Sequence, residues 1–532
     1  MRFLKCLLFS VVLLSYTDGY KIVIFVPYFV NSQVLFNSRV AETLSKNGHE
    51  VTMVMVAALD GFDTKAVKIP KHIKTYNVNA SIGIKAEAIE EMLEKNIFED
   101  LPVWDYRQRA VFLRASSLFL GSCRKMVENK DFLEWISGEK FDLAITYILN
   151  VCPVGIIHHA KIPAWIWLNS APLLDPVARH MGVPLIPSYV PPVMIDSSDV
   201  MNFKERIRSF IVHMLFVPIW KRMIADKETA IYREVLEPNF PDLLELGKRC
   251  PLVMVNTNEL YDFPRPTLAK IVNIGGVGFQ QKDVKPLDPK FQKIVEQAEG
   301  VVLFSFGSVA PTDKMPMTWK NAFIDAFKRF PNHHFIWRYV GNDLKDKLPP
   351  NVHTFEWFPQ SDLLQSPKTK AFITHGGYNS FQEAILAGVP LIIIPLFGDQ
   401  PRNARLGEKH HFAVKIHKSD ISANTVAEAL EKVLYDQSYS SNMTRMSNMV
   451  KKQPVNPSDL LVSWVEFVAE FKTLDNLVPA GNKLNFVQYH SLDVIAFLLT
   501  VVVALTFIAY KIVKLMVKKA FPAFPQRKYK EQ

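Results

Sequence analysis

From Tyr20 onward the order of apolar and polar positions sets up a repeat. Lys21-Ile22-Val23-Ile24-Phe25-Val26-Pro27 is a short apolar run rich in β-branched residues, which predicts a strand. Phe36 to Asn47 carries helical spacing and stops at Gly48, and Val51 to Ala57 is a second strand. Unbroken apolar strands separated by helices predict a parallel sheet buried on both faces. Phe141 to Tyr147, a helical stretch through Ala160 and the strand Ala164 to Leu168 continue the alternation.

The pattern restarts at Val301, where Val301-Val302-Leu303-Phe304-Ser305-Phe306-Gly307-Ser308 reads as a strand running into a Gly-Ser turn. A helix (Trp319 to Phe330), strands at His334 to Arg338 and Ala371 to Thr374, a helix (Ser380 to Ala387) and a strand (Pro390 to Pro395) follow. The simplest architecture is α/β, with two Rossmann-like, doubly wound domains (20–280 and 281–478) facing each other across a cleft. The stretch from Phe263-Pro264-Arg265-Pro266 to Asp288-Pro289 links them. A length of 532 residues exceeds one ordinary core, in keeping with two domains. Ligands of such sheets bind at the carboxyl ends of the strands, so the turns after strands are where chemistry is expected.

Three apolar stretches fall outside this repeat. Met1-Arg2-Phe3-Leu4-Lys5 precedes an apolar run from Cys6 to Leu14 and then small and polar residues, which predicts a cleavable signal peptide over 1–19. Its core is shorter than the roughly 20 apolar residues a bilayer requires. Val494 to Tyr510 holds no charge, and Ile512 and Val513 extend it past Lys511, predicting a single transmembrane helix over 490–513. The third stretch, Phe210 to Ile224, has Lys and Arg flanks and a Pro218 break. It either grazes a membrane surface or packs on the first domain.

Seven Lys/Arg against Glu531 crowd Lys511 to Gln532, so the positive-inside rule puts the tail, 514–532, in the cytosol and the body in the lumen. The tail ends Arg527-Lys528-Tyr529-Lys530-Glu531-Gln532, similar to the dilysine signal that retrieves type I membrane proteins to the endoplasmic reticulum. Together these predict a single-pass type I protein of that membrane. Apolar residues are 49% of the chain and charged residues 21%, a globular composition. The net charge of +10 does not argue for nucleic acid, because Lys511 to Gln532 alone, seven basic residues less one acidic, supplies +6. Loss of Cys6 with the leader leaves Cys123, Cys152 and Cys250, an odd count that predicts no disulfide framework. Asn79-Ala80-Ser81 and Asn442-Met443-Thr444 are glycosylation sequons, which a luminal body would make a glycoprotein.

The chemistry is concentrated in one stretch: Glu356-Trp357-Phe358-Pro359-Gln360, then Thr374-His375-Gly376-Gly377-Tyr378-Asn379-Ser380-Phe381-Gln382-Glu383, then Gly388-Val389-Pro390 and Pro395-Leu396-Phe397-Gly398-Asp399-Gln400-Pro401-Arg402-Asn403. His375-Gly376-Gly377 sits between a strand and a helix, where backbone N–H groups and the helix start form an anion site suited to a diphosphate. Trp357 and Gln360 suit a stacked, hydrogen-bonded base, and Glu383, one turn beyond Asn379, suits both hydroxyls of a ribose. Asp399 and Gln400 offer an acceptor and a donor for sugar hydroxyls. Singly, such residues are ordinary turns and solvated faces; their order over some fifty residues is specific.

This stretch resembles the sugar-nucleotide signature of the UDP-glycosyltransferase family, in its animal, membrane-bound UDP-glucuronosyltransferase branch. The resemblance extends to Gly48-His49-Glu50-Val51-Thr52, Phe263-Pro264-Arg265-Pro266, Phe306-Gly307-Ser308, the late span and the lysine tail. It implies a GT-B fold and transfer of glucuronic acid or glucose from UDP-glucuronate or UDP-glucose to a small lipophilic acceptor. Transfer inverts the anomeric centre and uses neither cofactor nor metal. It further implies that Trp357 and Gln360 hold the uracil and Glu383 the ribose, that Ser308, His375, Gly377, Asn379 and Ser380 hold the diphosphate, and that Asp399 and Gln400 hold the sugar. No Asp-x-Asp pair of the kind that holds a divalent ion on a diphosphate occurs in the sequence.

Two positions depart from the family. A His after the first strand is the family's general base, and here Gln33 stands in its place, with Tyr147 at the position of the acidic partner. Glutamine cannot take a proton near neutral pH. Glucuronosyltransferases of vertebrates also carry an Arg just before the Phe-Pro-Arg-Pro block, thought to favour the glucuronate carboxylate, and Asn256 occupies that place here. Transfer to amines or already acidic acceptors is one expectation. The competing one is a catalytically silent UDP-sugar-binding membrane protein that joins active relatives in homo- or hetero-oligomers. Asp60 to Asp105 and Ala171 to Ser198 are the expected acceptor loops.

Overall fold

The computed structural model describes residues 19–62, 67, 69–101, 105–279, 286–307 and 310–521. The leader before Gly19, the middle of the linker, Ser308 and the tail from Pro522 lie outside these residues. The chain divides into a body ending at Leu477 and a separate unit from Val478 onward.

The body contains two all-parallel sheets. In the first, β1 (Lys21–Pro27), β2 (Glu50–Ala57), β3 (Lys74–Asn79), β4 (Leu143–Tyr147), β5 (Ala164–Asn169), β6 (Leu252–Val255) and β7 (Ile271–Asn273) lie in the order β3-β2-β1-β4-β5-β6-β7. The apolar run of β1 is buried on both faces: Val23 and Phe25 enter one core, Ile22, Ile24 and Val26 the other. In the second, β8 (Gly300–Ser305), β9 (His333–Arg338), β10 (Val352–Phe355), β11 (Thr369–Thr374), β12 (Leu391–Ile393) and β13 (Ala413–Lys415) lie in the order β10-β9-β8-β11-β12-β13. In each sheet the strand order reverses beside the first strand, β1 next to β4 and β8 next to β11, which opens a crevice at the carboxyl ends of those strands. This is the α/β, doubly wound arrangement predicted for both halves.

The Pro457–Phe471 helix follows the second sheet in sequence yet packs in the first sheet's core, through Leu461, Val462, Val465 and Val468. The first helix spans Asn31–Lys46, earlier than its apolar spacing announces, so Gln33 sits in the first helical turn.

One expectation is corrected. Cys123, in the Tyr106–Glu128 helix, is bonded to Cys152, the first residue of the Cys152–His159 helix, with Cα atoms 5.7 Å apart. Cys250 is left free and buried. An odd count rules out complete pairing, not a single pair, and the approach of two helices distant in sequence decides which.

The second unit holds one long helix, Leu492–Ala520, of 29 residues with a mean hydropathy of 2.6 over its most apolar window. At 1.5 Å per residue it runs about 43 Å, more than the roughly 30 Å of a bilayer's hydrocarbon.

Candidate active site

At the crevice of the second sheet three turns converge. After β8, Gly307 takes a left-handed conformation (φ +70°), and a Cβ there would stand 2.7 Å from His375 Cε1. After β11, a Cβ on Gly377 would stand 2.5 Å from His375 Nε2. The imidazole is therefore clasped between two glycines that only glycine can provide. Burial, with Arg338 a second cause, pushes its pKa down to about 4. His375 is thus neutral near pH 7, a hydrogen-bonding group and not a cation. Gly377 then caps the Tyr378–Ala387 helix, which has no side-chain cap and no acidic residue in its first turn. Its leading N–H groups and the positive end of its dipole are open to an anion.

The cation at this crevice is Arg338, at the end of β9. It donates to the Gly307 carbonyl and lies 5.2 Å from the centroid of the Trp357 ring. Trp357 itself is 56% exposed, so an indole braced by a guanidinium offers its open area to a planar base. Gln360 donates to Ser380 Oγ at 3.2 Å and to Glu383 Oε2 at 2.8 Å. The expected base, phosphate and ribose residues are thereby joined into one network.

The proposed sugar residues follow β12. Asp399 caps the Gln400–Lys409 helix and accepts from Asn403 Nδ2 at 3.0 Å. Burial raises its pKa. The same Asn403 nitrogen donates to the Gly376 carbonyl at 2.9 Å, tying the Asp399 turn to the turn after His375. Gln400 Oε1 accepts from the backbone of Leu396 (2.8 Å) and Phe397 (3.0 Å), which holds that turn closed.

The first sheet faces this network closely. Asn379 Nδ2 donates to the Ser32 carbonyl at 3.4 Å, so Gln33 lies one residue from a bond to the second domain. Arg39, on the same helix, reaches Glu383 Oε1 at 3.2 Å and stacks 3.9 Å from the Phe279 ring centroid. Tyr147, at the end of β4, is buried in the first core, where desolvation and then Glu228 raise its hydroxyl pKa. Asn256 is also buried; it donates to the Ser170 carbonyl at 3.0 Å and accepts from Gln382 at 3.2 Å, so both ends of its amide are engaged. Ser308 lies outside the described residues.

Sequence reasoning assigned no role to Arg39, Arg338 or Asn403. Arg338 carried a signal, a charge terminating the apolar strand His333–Arg338. Arg39 carried none, because its partner is 344 residues away.

The family model for "UDP-glucoronosyl and UDP-glucosyl transferase" matches residues 22–525. The mouse protein UDP-glucuronosyltransferase 1A1 is 32% identical over 491 residues, which cover 91% of this chain and 88% of that one. Human UDP-glucuronosyltransferase 1A9 is 33% identical over 396 residues, 74% of this chain and 73% of that one. Among solved structures, the kitacinnamycin glycotransferase matches with a TM-score of 0.58 at 18% identity, covering 85% of this chain and 98% of that one. The Phytolacca americana UGT2, complexed with UDP-2fluoro-glucose and pterostilbene, matches with 0.55 at 16% identity, covering 85% and 100%. At such identity these two speak to the fold, which is GT-B.

Proposed function

The chain belongs to the UDP-glucuronosyl and UDP-glucosyl transferase family and is a UDP-sugar glycosyltransferase, and from that premise we propose how its residues divide the work. Trp357 and Gln360 take the uracil and Glu383 the ribose. Ser308, His375, Gly377, Asn379 and Ser380, with the open helix start, take the diphosphate, and Asp399 and Gln400 take the sugar. The observation that carries this assignment is the bonded set Gln360, Ser380 and Glu383 at the mouth of a crevice that also holds an uncapped helix start.

The transferred sugar is glucuronic acid or glucose and the acceptor a small lipophilic molecule. Asn256, neutral and turned inward, offers no charge to a glucuronate carboxylate, which keeps UDP-glucose among the donors. Gln33 cannot remove a proton, so the acceptors favoured are those that need little base assistance, such as amines and acidic phenols.

The body is luminal and the Leu492–Ala520 helix a single membrane span, with the protein held in the endoplasmic reticulum by its lysine tail. The Cys123–Cys152 disulfide supports a luminal body, since such bonds persist in oxidising compartments. Incubating the membrane-bound protein with radiolabelled UDP-glucuronate and UDP-glucose against a panel of phenols, steroids and amines tests the reading. Label should move to amines or acidic phenols from at least one donor. Absence of transfer from either donor, with UDP binding retained, would leave only the silent UDP-sugar-binding role.

A further inference from the structure

The Phe203–Trp220 helix buries a narrow stripe of Ser209, His213, Val217 and Trp220, flanked by half-buried Val212 and Phe216, and leaves most of its remaining surface exposed. Ile207, Phe210, Ile211, Met214, Leu215 and Ile219 are all exposed, Phe210 by 54% and Leu215 by 55%. Between Ser209 and Trp220 no residue bears a fixed charge, and the one titratable group, His213, faces inward. Half-exposed side chains of this size on adjoining turns form a continuous apolar patch of the extent that marks an interaction site.

The borders of the patch identify what covers it. Lys204, Arg206 and Arg208 precede it, and Lys221 and Arg222 follow it. Glu205 closes the capping box on Asn202, and Asp226 pairs with Lys221 at 2.5 Å, so exposed Arg222 carries the positive charge at that end. The run without fixed charge, Ser209 to Trp220, falls well short of the roughly 20 residues that cross a bilayer, and 18 residues are about 27 Å of helix lying flat. An apolar face between two cationic ends is the form of a helix that lies in the plane of a membrane interface, with its lysine and arginine heads at the phosphates. On the inner side, His213 Nε2 is 2.9 Å from the Val190 carbonyl, in the 171–198 segment assigned to the acceptor loops.

We infer that this helix docks on a lipid bilayer, giving the first domain its own membrane contact beside the acceptor loops, where a lipophilic acceptor partitions. The docking does not depend on the reading of Leu492–Ala520 as a span.

Full-length protein, reconstituted in phosphatidylcholine vesicles containing a minority of anionic lipid, is labelled with an environment-sensitive fluorophore at Ile211→Cys, Leu498→Cys or Asp325→Cys in a Cys6→Ser background. The native thiol Cys250 stays silent because it is buried and its pKa is raised to about 11. Nitroxide lipids then report depth. An interfacial helix sits about 5–10 Å below the headgroups, so the label at 211 should be quenched more by a nitroxide near the headgroup end of the acyl chain than by one near its methyl end. The label at 498 should show the reverse order, and the label at 325 neither. Quenching at 498 with none at 211 overturns the docking and leaves the span standing; quenching at 211 with none at 498 removes the span and keeps the docking. A blue-shifted label at 211 that no nitroxide lipid quenches means a second copy or another protein covers the face, and overturns the inference.

Discussion

Arg39 of the first domain stands 3.2 Å from Glu383 of the second, and Glu383 accepts from Gln360 through its other oxygen at 2.8 Å. The helix that begins beside Gln33 is thus tied to the carboxylate assigned to the ribose. Each carboxylate oxygen has two acceptor sites, so two ribose hydroxyls can bind while both existing bonds remain. Arg39 then orients the carboxylate and need not leave. Arg39→Met is expected to weaken UDP binding about ten-fold, as befits one charge-assisted bond worth ~1.4 kcal/mol. Calorimetry on the full chain in detergent measures this. Tighter binding would instead identify Arg39 as a plug that the nucleotide must displace.

Glu383→Ala and Asp399→Asn separate the nucleotide from the sugar. The first removes charge-assisted bonds worth about 1.5 to 3 kcal/mol, so UDP affinity should fall roughly ten- to a hundred-fold. The second should leave UDP binding nearly unchanged and weaken UDP-sugar binding or transfer. A folded Glu383→Ala protein with unaltered UDP affinity would refute the ribose assignment.

Most of this site was readable because its parts lie within one stretch of chain and each turn needs a particular residue type. Gly376 is left-handed (φ +82°) and Gly377 has no room for a Cβ, which is why a Gly-Gly pair after a strand carries information. The strands were readable for a related reason: burial on both faces leaves an unbroken apolar run. What the sequence hid is long-range. Nothing local to Cys123 announces Cys152, nothing local to Arg39 announces Glu383, and the apolar side of Pro457–Phe471 does not say which sheet it covers. The start of the first helix was missed because Asn31-Ser32-Gln33 is polar, and helical periodicity is visible only where apolar residues recur.

Stability should depend on pH through two buried groups acting in opposite directions. Glu228 is fully buried and its pKa is raised to about 8, chiefly by desolvation, against an unfolded value near 4.5. Between those values the folded chain holds a proton that the unfolded chain has released, so this contribution is lost as pH rises through the window. His375, at about 4 when folded and 6.5 when unfolded, contributes stability that is lost as pH falls from 6.5 to 4. Glu228→Gln retains an acceptor for the Val151 N–H, now bonded at 2.9 Å, and should flatten the decline above pH 5 while leaving the acid limb intact. Thermal melts across pH 4 to 8 on both proteins measure this; an unchanged slope above pH 5 would mean that Glu228 is ionised in the folded chain.

The last prediction concerns the missing base. Gln33 lies in the first turn of its helix, next to the Ser32 carbonyl that receives Asn379, so a histidine there would stand within one residue of the contact between the two halves. General-base catalysis contributes typically 100- to 10,000-fold, but a histidine performs fully only when an acid fixes its tautomer. Tyr147 cannot do this: it is buried, and burial together with Glu228 raises its pKa so that the phenol stays protonated. Gln33→His alone should therefore reach no further than the bottom of that range, about ten- to a hundred-fold in kcat toward phenols. The gain should appear with a new pH dependence near the ordinary histidine value of about 6.5, and should be small for amines, which need less base assistance. Replacing Tyr147 by Asp as well should not complete the pair, because a second carboxyl beside buried Glu228 would be held neutral or would destabilise the core. Steady-state kinetics against pH, with UDP affinity measured in parallel, decides the matter. An unchanged turnover with intact UDP binding would show that position 33 is not where the acceptor hydroxyl meets the donor.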